Sequence, residues 1–175
     1  MHKAVEILQG IRIVGEKVIV FVEDLIIQRV FAEAMATHFD LPNLPGIING
    51  GVPGDKRQQI VKDFQTSPPG FDLLVLSPKA AGVGLTITAA NHVVHLSRWW
   101  NPAVEDQCND RTYRIGQKRN VTIHIPLAIH PAINENSFDV KLNLLLERKR
   151  ALSRHMLCVP ESETDLADLF SGVVG

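Results

Sequence analysis

Two cysteines in 175 residues, Cys108 and Cys158, stand alone, without the paired spacing of a zinc site or a disulfide framework. They read as reduced thiols of an intracellular protein. Long apolar runs are missing too. No stretch reaches the eighteen residues a spanning helix needs, and no basic segment leads into an apolar one, so neither export nor membrane insertion is expected. Nor does either sign of charge dominate. Lys and Arg number 18 against 19 Asp and Glu, so any contact with nucleic acid must be local and not spread over the chain.

The chemical absences are sharper. No G-x-x-x-x-G-K-[ST] loop is present to cradle phosphates; the nearest stretch, GGVPGDKR from Gly50 to Arg57, has Asp where the Lys belongs and lacks the magnesium-holding hydroxyl. An acidic pair for metal and water is missing, since Glu23-Asp24 has the reverse order and reads as a helix start. Alone, the chain is not expected to hydrolyse ATP. The first strand runs into VEDLIIQ and not into G-x-G-x-x-G, which excludes a Rossmann-type dinucleotide enzyme. No nucleophile elbow or Ser-His-Asp arrangement occurs. His92, His95 and His124 lack Cys or acidic companions at ligand spacing and read as packed or hydrogen-bonded imidazoles.

What is there is enough for one buried domain and a tail, given 45% hydrophobic content. Short, nearly continuous apolar runs recur: KVIVFV at 17–22, FDLLVLS at 71–77, NHVVHLS at 91–97 and VTIHIPLA at 121–128. Such runs suit parallel strands covered on both faces by crossover helices. Between them lie a helix opened by Asp24, a short GIIN strand at 46–49 and a helix from about Asp55 to Phe64. Residues 1–10 suggest a lead-in helix. The alternation predicts an open α/β sheet. From Ser137 a longer helix is expected to bury Phe138, Leu142, Leu145, Leu152 and Met156, with Arg148, Lys149, Arg150 and Arg154 on its other side. Asp165, Leu166, Asp168, Leu169 and Phe170 suggest a short amphipathic end.

The most informative stretch is Ser97 to Gln117, SRWWNPAVEDQCNDRTYRIGQ. Asn101 suits an N-cap, Pro102 the first helical position and Gly116 a left-handed C-terminal cap. Offsets of four and three residues then place Gln107, Arg111 and Arg114 on one stripe, with Val104 and Cys108 facing inward. Paired guanidiniums match phosphate oxygens. The same spacing also serves surface ion pairs, with Asp110 in reach of Arg114.

This stretch resembles the last helicase signature of Swi/Snf-type ATPases of superfamily two, in which a WNP turn leads into Q-x-x-x-R-x-x-R-I-G-Q. LSPKAAGVGLTITAANHVVHL, from Leu76 to Leu96, is similar to the preceding signature. SFDVKLNLLLERKRALSRHM, from Ser137 to Met156, is similar to the family's bracing helix, which comes after this lobe. The resemblance implies a C-terminal RecA-like lobe over residues 1–130, an open, mostly parallel sheet with helices on both faces and no phosphate loop. Residues 131–175 would supply the bracing helix and an acidic tail.

It further implies that ATP and Mg2+ are held mainly by an N-terminal RecA-like lobe of the same polypeptide, with double-stranded DNA as the other partner and the fragment monomeric. Arg114 would be the arginine finger, Arg111 its partner, and Gln107 a hydrogen-bonding neighbour of the phosphate or the attacking water. Gly82 and Gly84 would approach ATP, and Ser77 and Lys79 a DNA strand. Trp100 would couple the two sites, and Arg57 would lie near the nucleic-acid track. Arg98 offers a further phosphate contact. Departures from the pattern are Pro78 for Thr, Ala81 for Gly, Cys108 for Ala and Ser97 for Asp. Bland alternatives stand beside these: a tight turn for the glycines, packing for Trp99, and surface pairing of Arg57 with Asp55 or Asp63. A non-catalytic RecA-like binding module is the rival reading of the whole. Such a motor would be nucleoid-associated in the cytoplasm of a bacterium or nuclear in a eukaryote.

Overall fold

The computed structural model describes residues 2–81 and 84–157. Two compact units divide the chain, residues 1–127 and 128–175. The first holds five parallel strands in the order β2-β3-β1-β4-β5: β1 Lys17–Phe21, β2 Gly46–Ile48, β3 Asp72–Leu76, β4 His92–His95 and β5 Thr122–His124. Its helices are α1 His2–Ile13, α2 Leu25–His38, α3 Gly54–Thr66, α4 Pro78–Ala81 and α5 Pro102–Asn109.

Side chains alternate across a strand, so each buried strand feeds two cores. From β1, Val18 and Val20 point to one side, where Leu8 and Ile11 of α1 and Phe31 and Met35 of α2 cover them. Ile19 and Phe21 point to the other, packing with Val61 and Phe64 of α3, Leu85, Ile87 and Cys108. The run is therefore apolar throughout, as a strand covered on both faces requires. Asp24 starts α2 as expected: its Oδ1 accepts the N–H groups of Ile26 and Ile27, both at 2.9 Å. Gly46 in β2 is needed for space, because a Cβ there would lie 2.7 Å from Ile60 Cγ2 and 2.8 Å from Leu74 Cδ1.

Lys17 opens β1 and is buried, an unusual place for an ammonium. All three of its donors are used: Nζ donates to Phe64 O at 2.8 Å, Ser67 O at 2.9 Å and Ser67 Oγ at 2.7 Å. The bonds tie the start of β1 to the end of α3. Burial lowers its pKa, with the nearby Asp72 carboxylate opposing.

Three expectations need correction. VTIHIPLA is not a covered strand: only Thr122–His124 pairs, at the sheet edge, and both Thr122 and Ile123 are exposed. The first helix runs past Gly10 to Ile13, and Gly15, with φ 66°, comes after it in the left-handed region where a Cβ is strained. In the second unit, α6 (Phe138–Leu157) buries Leu142 and Leu146, while Phe138, Leu145 and Leu152 are exposed. The buried stripe tracks the i, i+4 row from Leu142, rotated from the one expected. Arg148 and Lys149 are exposed. The side chains of Arg154 and Met156, and Cys158 with the acidic segment at Asp165, Leu166, Asp168, Leu169 and Phe170, lie outside the described residues.

Candidate functional site

The candidate residues lie on the turn after β3, on the segment 84–90 that leads into β4, and on the chain that follows β4. After β4 the chain turns through 97–101 into α5. Asn101 caps that helix, its Oδ1 accepting the Ala103 N–H at 3.0 Å, and Pro102 occupies the first helical position. Cys108 faces the core, and burial with the Glu105 charge pushes its thiol up to about 12, so it is inert.

The helix does not reach Gly116. It ends at Asn109, whose carbonyl accepts the Thr112 hydroxyl at 2.8 Å and the N–H groups of Thr112 and Tyr113, both at 3.0 Å. A hydroxyl that competes for a carbonyl of the previous turn favours tighter turns over continued helix. Gly116 still adopts φ 103°, but it closes a turn and not a helix. Asn109 also anchors to the sheet, its Oδ1 lying 2.8 Å from His95 Nε2.

Arg111 and Arg114 are therefore not neighbours on a helical stripe. A different element brings them together, the extended segment 84–90 that leads into β4. Ile87 N–H donates to Arg111 O at 2.8 Å, and Arg111 Nη1 donates to Leu85 O at 3.4 Å while its Nε holds Gln107 O at 3.0 Å. Arg114 Nη1 donates to Thr86 Oγ1 at 2.7 Å and Gly84 O at 3.3 Å, turning to these and not to Asp110. Gln117 and Arg119 extend the ladder, with Nε2 of the former 2.8 Å from Ala90 O and Nη2 of the latter 2.5 Å from Ala89 O. Sequence reasoning missed this segment's part, because the partners lie some thirty residues apart. Gln107 is exposed on α5.

Gly84 has φ 72° and open space where a Cβ would stand, so its backbone is accessible; Gly82 lies outside the described residues. Ser77 is buried, its Oγ accepting the Ala80 N–H at 3.2 Å. It shapes the turn after β3. Lys79, beside it, is exposed, with its ammonium 5.8 Å from the Trp99 ring centroid. Arg57 pairs with neither Asp55 nor Asp63; its Nε donates to Val52 O at 2.6 Å and its Nη2 to Gly50 O at 3.1 Å, bracing the loop before α3. Trp100 is 59% exposed, and Ile115, next to Arg114, is fully exposed.

Arg98 departs most from expectation. Its side chain is 4% exposed and forks onto the buried Glu105, Nε to Oε1 at 2.7 Å and Nη2 to Oε2 at 3.2 Å, so the guanidinium is committed to a carboxylate. The acid in the first turn of α5 was the sequence signal for this pair.

The histidines of the sheet are hydrogen-bonded as expected: His92 bridges Glu16 at 2.6 Å and His124 at 3.1 Å. Among the described residues no group of three or more His, Cys, Asp or Glu could hold a metal ion. The donors gathered near Gly84 are guanidiniums, a side chain that suits phosphate oxygens.

The parallel sheet in this order is that of the C-terminal RecA-like lobe of a Swi/Snf-type superfamily two ATPase. Residues 3–116 match the helicase conserved C-terminal domain, and the chain belongs to that family. It is 42% identical over 148 residues to Zorya protein ZorD of Escherichia coli O139:H28, covering 82% of this chain and 13% of the relative. It is 34% identical over 169 residues to the putative ATP-dependent helicase/translocase YwqA of Bacillus subtilis, covering 97% of this chain and 17% of the relative. The chain thus spans less than a fifth of the length of either. Among solved structures, the SWI2/SNF2 ATPase core of Sulfolobus solfataricus in complex with dsDNA superposes with a TM-score of 0.66 at 30% identity, over 86% of this chain and 29% of that one.

Proposed function

We propose that the chain is the second motor lobe of an ATP-dependent double-stranded DNA translocase, supplying arginines to a nucleotide held by a first lobe of the same polypeptide. One observation carries the reading: Arg111 and Arg114 are both anchored by a single Nη to the segment Gly84–Thr86, which follows α4 on the way to β4. A guanidinium presents five donors. Arg114 keeps the rest for phosphate, and its anchors fix where they point.

ATP supplies the phosphoryl group that is transferred. The chain's own part is electrostatic: Arg114 and Arg111 hold the negative charge that builds on the transferring group, and Gln107, one turn before Arg111, adds a neutral hydrogen bond. Lys79, exposed beside the Trp99 ring, is assigned the contact with a DNA phosphate. The relatives' names and the dsDNA complex of the Sulfolobus core support this assignment of partner. Contacts of this type weaken with salt and read no bases.

The test is duplex-stimulated ATPase in the protein that carries both lobes. Arg114→Ala is expected to lower turnover on the order of 10³-fold or more, as for fingers elsewhere. Its melting temperature is expected to hold, since it loses only two exposed hydrogen bonds. Equal rates remove Arg114 from the role; no stimulation by any duplex favours a RecA-like binding module.

A further inference from the structure

Glu105 is an acid in a neighbourhood that the proposed function reads as cationic, and it is withdrawn from water. Its side chain is 2% exposed. Its donors include the two of Arg98 described above and the Trp99 N–H, which donates to Oε1 at 3.1 Å. Burying two charges is costly, and apolar side chains of similar volume often serve stability as well or better. What the pair gives in return is geometry. A forked pair fixes orientation as well as distance.

The geometry is local and specific. Arg98 and Trp99 lie before α5 and Glu105 lies in its first turns, so the three bonds pin the turn 97–101 down onto the helix. Asn101 adds its cap on the same stretch. Trp100, one residue from the pinned amide, is held outward, and Trp99 is held under the Lys79 ammonium. The far end of α5 carries Gln107 and leads to Arg111.

We infer that Glu105 is a positioning residue: through Arg98 and the Trp99 amide it sets the turn bearing Trp99 and Trp100 against α5, so that the arginine segment and the DNA-facing side of the lobe move as one piece. This rests on the proposed function. Glu105 touches no substrate and acts only through the turn.

Glu105→Ala would strand the Arg98 charge in the interior and is expected to unfold the chain. The informative variant is Arg98→Met combined with Glu105→Leu, which fills the same space without charge and is expected to melt near the native temperature. The only two tryptophans of the chain sit on this turn, so emission reports on it directly. Acrylamide quenching of the double variant is expected to rise about twofold as the released turn opens to solvent. In the protein with both lobes, duplex-stimulated kcat is expected to fall about tenfold with KM for ATP held within about twofold, the pattern of lost alignment. A purely structural pair would leave both readouts native in a folded double variant. Native quenching, or native stimulated kcat, overturns the inference. Arg114→Ala, assayed alongside, separates the two readings: if it is inactive and the double variant is native, only the role of Glu105 falls. If Arg114→Ala turns over normally, the finger assignment falls regardless.

Discussion

Replacing Lys17 by Met isolates the three hydrogen bonds that join β1 to α3. The methionine keeps an unbranched apolar stem in a site that is nearly closed to solvent and deletes only the ammonium. Hydrogen bonds to a charged group contribute about 1.5–3 kcal/mol each, so three give a gross gain of about 4.5–9 kcal/mol. Against this stands the desolvation of the ammonium, several kcal/mol for a buried ion. The partners are not equally exposed to the loss. Phe64 O and Asp72 Oδ2, at 3.0 and 2.9 Å, share the single proton of the Ser67 hydroxyl, whereas Ser67 O loses its ammonium donor outright. The balance predicts a net loss of about 2 kcal/mol, dominated by that carbonyl. Urea denaturation of the isolated chain measures it, with an unchanged m-value showing that the same surface unfolds. The pH dependence supplies an internal check. Because burial lowers the folded pKa of Lys17 below its ordinary 10.5, the unfolded chain binds more protons in that window and stability rises as pH climbs towards 10.5. That slope disappears in Lys17→Met. A variant as stable as the native chain, or one that keeps the alkaline slope, refutes the account.

Acid should destabilise the fold by a related route. A hydrogen bond from Asn91 and the charges of His92 and Arg119 hold the Glu16 carboxyl below its usual range against the effect of burial, and burial with the His92 charge lowers His124. Both folded pKa values lie below the unfolded ones, so stability is full above the ordinary His value of 6.5 and falls as pH drops; the melting temperature tracked from pH 7 to 4 checks this, and His124→Gln flattens the upper part of the slope. Gly46→Ala is expected to cost about 1–3 kcal/mol by overpacking against Ile60 and Leu74, read by the denaturation midpoint. Cys108 is expected to resist alkylation in the native chain and react on unfolding, as peptide mapping of the labelled protein would report.

The sheet was legible because its central strands are covered on both sides, and Val18 to Phe21 and Leu73 to Leu76 have no polar position to hide that. The helix starts were legible for a local reason: Asp24 and Asn101 bond to amides two or three residues on, within reach of any reading of spacing. What failed depended on distant partners. The end of α5 turns on competition for one carbonyl by Thr112, and Arg114 answers to Thr86, not to its helical neighbours. Arg98 looked like a surface cation because its acid partner lies across a turn. For β5, the run of apolar letters resembled the covered strands, yet a strand with a single neighbour leaves side chains in solvent.

The position of β1 in the middle of its sheet has a consequence for synthesis. Of the five strands in its sheet it is made first, yet its two neighbours are Asp72–Leu76 and His92–His95, and a parallel neighbour cannot be supplied by a hairpin. On the ribosome Val18, Ile19, Val20 and Phe21 must wait, greasy and unzipped, until the stretch through His95 has emerged. A nascent chain stalled before that point is the form in which this lobe is most open to chaperone capture or misassembly.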